Sequence, residues 1–126
     1  MSKSYDMGRL GETVTVRYLE KHGYKILDRN FRIRGGEIDI IAEKDGIIAF
    51  VEVKARSGNF LSSGEYAVDK RKKQLIIRAS AEYMLKKGSS SQPRFDVAAV
   101  VFDCGKPSQF NYYTDAFSAD GTDIIF

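Results

Sequence analysis

Two apolar segments joined by one tight-turn signal constrain this chain more than anything else in it. Glu37–Glu43 and Ile47–Lys54 flank Asp45-Gly46, and an Asp-Gly pair between β-prone runs marks a two-residue hairpin. The return run Ile47-Ile48-Ala49-Phe50-Val51 does not alternate, so both its faces need cover, as in a central strand of an α/β sheet. The turn also fixes the register. With Asp45 and Gly46 as the loop, paired residue numbers sum to 91, which sets Asp39 opposite Glu52 and Glu37 opposite Lys54, all on one face. A three-residue loop would instead send Asp39 and Glu52 to opposite faces.

Acidic groups at the ends of buried strands are costly unless they have a partner, a proton or a metal. Directly opposed side chains have Cβ atoms roughly 4.5–5.5 Å apart, close enough for two carboxylates to share a divalent ion. Without the ion they repel, and one tends to take up a proton. The plainer reading is a solvated ion-pair ladder made of Glu37, Asp39, Glu52 and Lys54.

Around the hairpin, the spacing predicts a helix from Tyr5 to His22, with Ser4 as N-cap, Gly23 as its stop, and Leu10, Val14 and Tyr18 as an apolar stripe beside Met7 and Leu19. Tyr24–Leu27 reads as a short strand, Asp28-Arg29-Asn30 as a turn, Phe31–Arg34 as a further extended piece, and Gly35-Gly36 as the entry to the hairpin. Ala55–Tyr66 is a polar, glycine-bearing loop. A second helix is expected from Asp69 to Lys87, burying Leu75, Ile76, Ala79 and Tyr83 and ending at Gly88. After a Ser89–Pro93 loop come a buried strand, Arg94–Asp103, and an edge strand over Gln109–Thr114. The order is αβββαβ(β): one mixed sheet flanked by helices, in a single domain over residues 1–126.

Several function classes drop out. No apolar run approaches the eighteen or so residues that span a bilayer, and the N-terminus lacks a signal-peptide core, so a cytoplasmic protein without a membrane partner is expected. Cys104 and His22 are each the only residue of their kind, which disfavours disulfide frameworks, Cys/His zinc sites and histidine-dependent triads. A metal here would be held by carboxylates and carbonyls, which suits Mg²⁺ or Mn²⁺. The net charge of +3 is compatible with nucleic acid without pointing to it.

Glu37-x-Asp39 followed by Glu52-Val53-Lys54 resembles the core of the PD-(D/E)xK nuclease superfamily. With Gly8-Arg9-Leu10-Gly11-Glu12, Tyr18-Leu19, Gly23-Tyr24, Arg29-Asn30, Gly36 to Ile41, Phe50 to Arg56 and Arg94-Phe95-Asp96-Val97, the chain resembles the YraN-like family of small bacterial proteins from about Gly8 to Phe102. The literal proline of the superfamily motif is absent. The resemblance implies a restriction-endonuclease-like fold similar to the archaeal Holliday-junction resolvases, and a nuclease acting on DNA, with branched DNA among its substrates. On this reading Asp39, Glu52, the Val53 carbonyl and Glu12 hold the metal. Asp39, Glu52, Lys54 and Glu12 are the catalytic set, with Lys54 orienting the attacking water. A two-fold dimer is what symmetric cutting of two strands would call for. Two other readings stay open: a catalytically silent nucleic-acid-binding protein of the same fold, and a structural or adaptor protein that binds neither metal nor nucleic acid.

Lys70-Arg71-Lys72-Lys73 stands at a helix N-terminus, where cations oppose the macrodipole. That placement suggests phosphate binding through Lys70, Arg71 and Lys73, with Gln74 one position on; a solvated charge run is the alternative. Arg32, Arg34 and Arg56 lie near the acids in sequence and are further candidates for a nucleic-acid backbone. Phe60 and Tyr66 are candidates for base stacking.

Overall fold

The computed structural model describes residues 3–58 and 68–119, with side chains from Met7 onward. Phe60, Tyr66 and most of the expected Ala55–Tyr66 loop lie outside the described residues. The elements are α1 (Lys3–Lys21), β1 (Lys25–Ile33), β2 (Gly36–Lys44), β3 (Ile47–Ser57), α2 (Lys70–Lys87), β4 (Gln92–Asp103) and β5 (Lys106–Phe117). The five strands form one mixed sheet in chain order, β1-β2-β3-β4-β5. Only the β3–β4 pair is parallel, because α2 carries the chain back across the sheet between them.

The hairpin has the expected turn. Asp45 and Gly46 both have positive φ, 51° and 78°, and Lys44 pairs with Ile47. The predicted register holds from there to Ile40–Val51. Strand β3 is covered on both sides: Ile48 and Phe50 join the core under α2, and Ala49 and Val51 join the core under α1. Fully burying a side chain such as Phe50 or Ile48 contributes about 1.5–3 kcal/mol each, which is why this strand sits centrally.

Four local expectations change. Helix α1 already runs through Ser4, so Ser4 is not its cap. Its inward face is Gly11, Thr15 and Leu19, while Leu10 is 44% exposed. The apolar spacing misled because a small residue does the packing. A Cβ on Gly11 would lie 3.3 Å from Val53 Cγ1 and 3.4 Å from Ala55 Cβ, so the helix backbone rests almost on β3. Thr15 returns its hydroxyl to the Gly11 carbonyl at 2.7 Å. Asp28-Arg29-Asn30 is not a turn: β1 is continuous, with a bulge between Ile26 and Asp28, and Asn30 takes a positive φ of 55° within the strand. Asn tolerates that conformation, and the bulge absorbs the extra residue. The edge strand is also longer than Gln109–Thr114, because Cys104-Gly105 forms a further two-residue turn with φ of 51° and 77°.

Helix α2 follows expectation at both ends. Asp69 caps it by accepting the Lys72 N–H at 2.8 Å, and Gly88 closes it in the left-handed region. Ile76, Ile77, Ala79, Ser80 and Tyr83 are buried, and Leu75 is half-buried. A Cβ on Gly36 would come within 3.2 Å of the Leu75 carbonyl oxygen, so the start of β2 lies directly against this helix. Neither helix is long and apolar enough to cross a membrane.

Candidate active site

The β2–β3 ladder stops at Ile40–Val51, just where the acids begin. In a continued register the Val53 N–H would bond to the Ile38 carbonyl. It bonds instead to Asp39 Oδ2 at 2.8 Å. The side chain has intercepted a backbone donor, and the strands part at that point. Alternation in β2 slips there too: Ile38 and Ile41 both face the α2 core, while Ile40 faces α1. Because a strand residue presents its N–H and C=O to the same side, the Val53 carbonyl faces the gap as well.

The expected row of four charges on one face is therefore corrected. Asp39 occupies the gap between strands. Glu52 and Lys54 follow Phe50 on the α2 side of β3, and Glu37 pairs with Arg32 at 3.5 Å, not with Lys54. The ladder rung between Glu37 and Lys54 is not formed, and Glu52 is only 6% exposed, so a solvated ladder does not describe these residues.

Asp39 and Glu52 are nonetheless electrostatic neighbours. Burial, then the charge of Glu52, push the Asp39 carboxyl up to about 7; the Val53 N–H opposes this, and Glu12 and Glu37 add to it. Burial also raises Glu52, against the pull of Lys72 and Lys54. Among the described residues no three His, Cys, Asp or Glu side chains are gathered into a metal-holding cluster. The two raised acids and the carbonyl turned toward their gap are still an all-oxygen set of the kind hard cations take.

Glu12 reaches this place from α1. It is 15% exposed, accepts from Asn30 Nδ2 at 3.2 Å and lies 3.5 Å from Arg29 Nη2. With Gly8, Arg9, Arg32, Glu37 and Asp39, these residues line a cleft of about 700 Å³ at the parted end of the hairpin. Its basic residues include Arg9 and Arg29, which were not among the sequence candidates although both stand in the motif blocks quoted above. The remaining candidates are spread more widely. Arg56 donates to the Ala55 carbonyl at 2.9 Å and lines a neighbouring shallow cavity. Arg34 is exposed in the turn before β2. Lys70, Arg71 and Gln74 are exposed on the first turns of α2, while Lys73 lies over the Phe117 ring at 5.8 Å from its centre. Lys72, within the same basic run, is the one that reaches the acids: its Nζ is 3.3 Å from Glu52 Oε1.

A second buried acid is structural. Asp96 is fully buried and binds Arg94 through both oxygens, the Tyr112 hydroxyl at 2.6 Å and the Asp115 N–H at 2.9 Å. Arg94 in turn donates to Tyr24 at 2.6 Å. This network has no open ligand position, in contrast to Asp39.

Known proteins bear on the whole of this arrangement. A family model described as "Uncharacterised protein family UPF0102" matches residues 11–100. The UPF0102 protein of Alkaliphilus metalliredigens is 44% identical over 118 residues, covering 93% of this chain and 100% of that protein. That of Geobacter metallireducens is 41% identical over 112 residues, covering 88% and 91%. That of Clostridium perfringens is 42% identical over 113 residues, covering 88% and 93%. The match spans every acid of the cleft, and the chain belongs to the uncharacterised protein family UPF0102, the YraN-like group that its motifs resemble.

Proposed function

We propose that this chain is a divalent-cation-dependent nuclease of the restriction-endonuclease-like, PD-(D/E)xK class, hydrolysing DNA phosphodiesters, with branched DNA as the substrate class suggested by the likeness to resolvases. One observation carries the reading: two neighbouring acids, Asp39 and Glu52, are held desolvated where the β2–β3 ladder parts, with their carboxyls pushed upward. A fold that needed only stability would gain by replacing such a pair with apolar residues.

The donor chemistry fits Mg²⁺ or Mn²⁺: Asp39, Glu52 and the Val53 carbonyl would hold the ion, with Glu12 at the cleft edge. When bound, that ion polarises a phosphodiester and acidifies a water molecule. The chain's own residues do the rest. Val53 N–H fixes one oxygen of Asp39, which leaves the other directed to a ligand. Lys54, two residues beyond Glu52 on the same face, orients the attacking water and offsets negative charge building on the phosphoryl oxygens. Arg9, Arg29 and Arg32 line the cleft and hold the flanking phosphates. In-line attack then leaves a 5′-phosphate and a 3′-hydroxyl.

A second reading, binding without turnover, is favoured by the Lys72–Glu52 ion pair, since a lysine already neutralises one acid of the pair. Cleavage of labelled four-way junction, flap, duplex and single-stranded DNA with Mg²⁺ or Mn²⁺ decides between the two. Cutting is expected from the wild type and a loss of at least about 10²-fold from Asp39→Ala. No cutting of any substrate by the folded wild type would leave the binding reading in its place.

A further inference from the structure

Glu52 is enclosed, its side chain 7% exposed, and its ion-pair partner comes from a different element. Lys72 reaches it from α2 at 3.3 Å. The backbone of Lys72 is fixed by the Asp69 cap at 2.8 Å, but its side chain is 47% exposed. The ammonium can therefore swing away on its own stem without disturbing the packing of the helix.

A buried carboxylate that stays ionised needs a counter-charge, and in the metal-free protein Lys72 is the one at ion-pair distance from Glu52. An ammonium and a divalent ion cannot share that place, because at ~4 Å their repulsion is large in any partly buried setting. We infer that Lys72 is the resident counter-ion of Glu52, competes there with the divalent cation, and transfers to a phosphate of the bound nucleic-acid strand when the cation takes its place. The inference rests on the nuclease reading above and adds a positioning residue to it.

The surroundings provide the second station. Lys70 and Arg71 are exposed beside Lys72 on the first turn of α2, without an ion-pair partner among the described residues. A phosphate drawn to them meets the released ammonium, a compact charge with three donors. Cation and strand then bind cooperatively, and the coupling is reciprocal. In the free protein the same lysine keeps the cation affinity low.

The test is Mn²⁺ titration calorimetry on the intact chain at one pH, with and without a single-stranded DNA oligonucleotide. Lys72→Gln and Lys72→Met both remove the charge, and the second keeps the apolar stem in case the first disturbs the helix. Lys86→Gln, exposed at the far end of α2, controls for net charge. Without DNA, the two Lys72 variants should bind Mn²⁺ tighter by on the order of tenfold, and Lys86→Gln should match the wild type. Added oligonucleotide should tighten Mn²⁺ binding by the wild type and leave the Lys72 variants unchanged. Equal or weaker Mn²⁺ binding by folded Lys72 variants would overturn the role of Lys72 while leaving the cation site intact. Absence of Mn²⁺ binding in every protein would overturn the cation site and this inference together.

Discussion

A carboxyl group that is desolvated, faces a second acid and takes one backbone hydrogen bond holds its proton well above the range of a carboxylate in water. Asp39 is in that position, pushed up to about 7 from an ordinary 3.8. Between those values the folded protein binds a proton that the unfolded chain has lost, so stability is fully present below the lower value and falls as pH rises toward 7. Asp39→Asn abolishes this loss. Its thermal midpoint relative to wild type, measured without metal, should climb between about pH 4 and about pH 7 and level off above; a constant difference would mean that Asp39 is ionised throughout. The proximity of Asp39 and Glu52 was legible because a two-residue turn fixes every later pair in the hairpin. Two things were not. A side chain that displaces a carbonyl as acceptor, as Asp39 does for Val53, ends the register without changing the pattern of residue types. The link from Glu52 to Lys72 depends on how α2 seats on the sheet, and no local spacing encodes that.

At the scale of elements, the strands are tied together by one polar network as much as by their ladders. Asp96 on β4 holds Tyr112 and the Asp115 N–H on β5, and through Arg94 it reaches Tyr24 beside β1. Burial and the charge of Asp96 push the Tyr112 hydroxyl upward, and its hydrogen bonds to Asp96 strengthen the hold of Arg94 on its proton. Removing one partner of such a network strands the others. Asp96→Ala should therefore cost on the order of 3 kcal/mol in urea unfolding, and a loss under about 1 kcal/mol would mean that water replaces the carboxylate. Element types and order were readable from period and turn chemistry, down to the start of α2 at Asp69 and its stop at Gly88. Besides the cap and inward face of α1, the failures were at positive φ. Asn30 looked like a turn residue but sits in a bulged strand, and the tight turn at Cys104-Gly105 starts the edge strand at Lys106, earlier than its residue pattern suggested.

For the whole molecule, what matters about the net charge of +3 is how much of the basic charge is already engaged. Lys72 is committed to Glu52, Lys73 lies over Phe117, and Arg29 and Arg32 face glutamates. Lys70 and Arg71, next to Lys72 on α2, are exposed and have no ion-pair partner among the described residues. Replacing both with Gln should weaken DNA binding and lower the salt dependence of its logarithm by about 1 for each phosphate no longer held; an unchanged slope would mean that they face only solvent. The sheet has a further consequence. Because its strands lie in chain order, Glu12, Arg29, Arg32, Glu37, Asp39, Glu52 and Lys54 are all delivered by α1 and the first three strands. The proposed chemistry is thus written in one uninterrupted passage of the chain. Strands β4 and β5 serve as its backing and supply none of these side chains, while α2 adds Lys72 to the acids from beyond that passage.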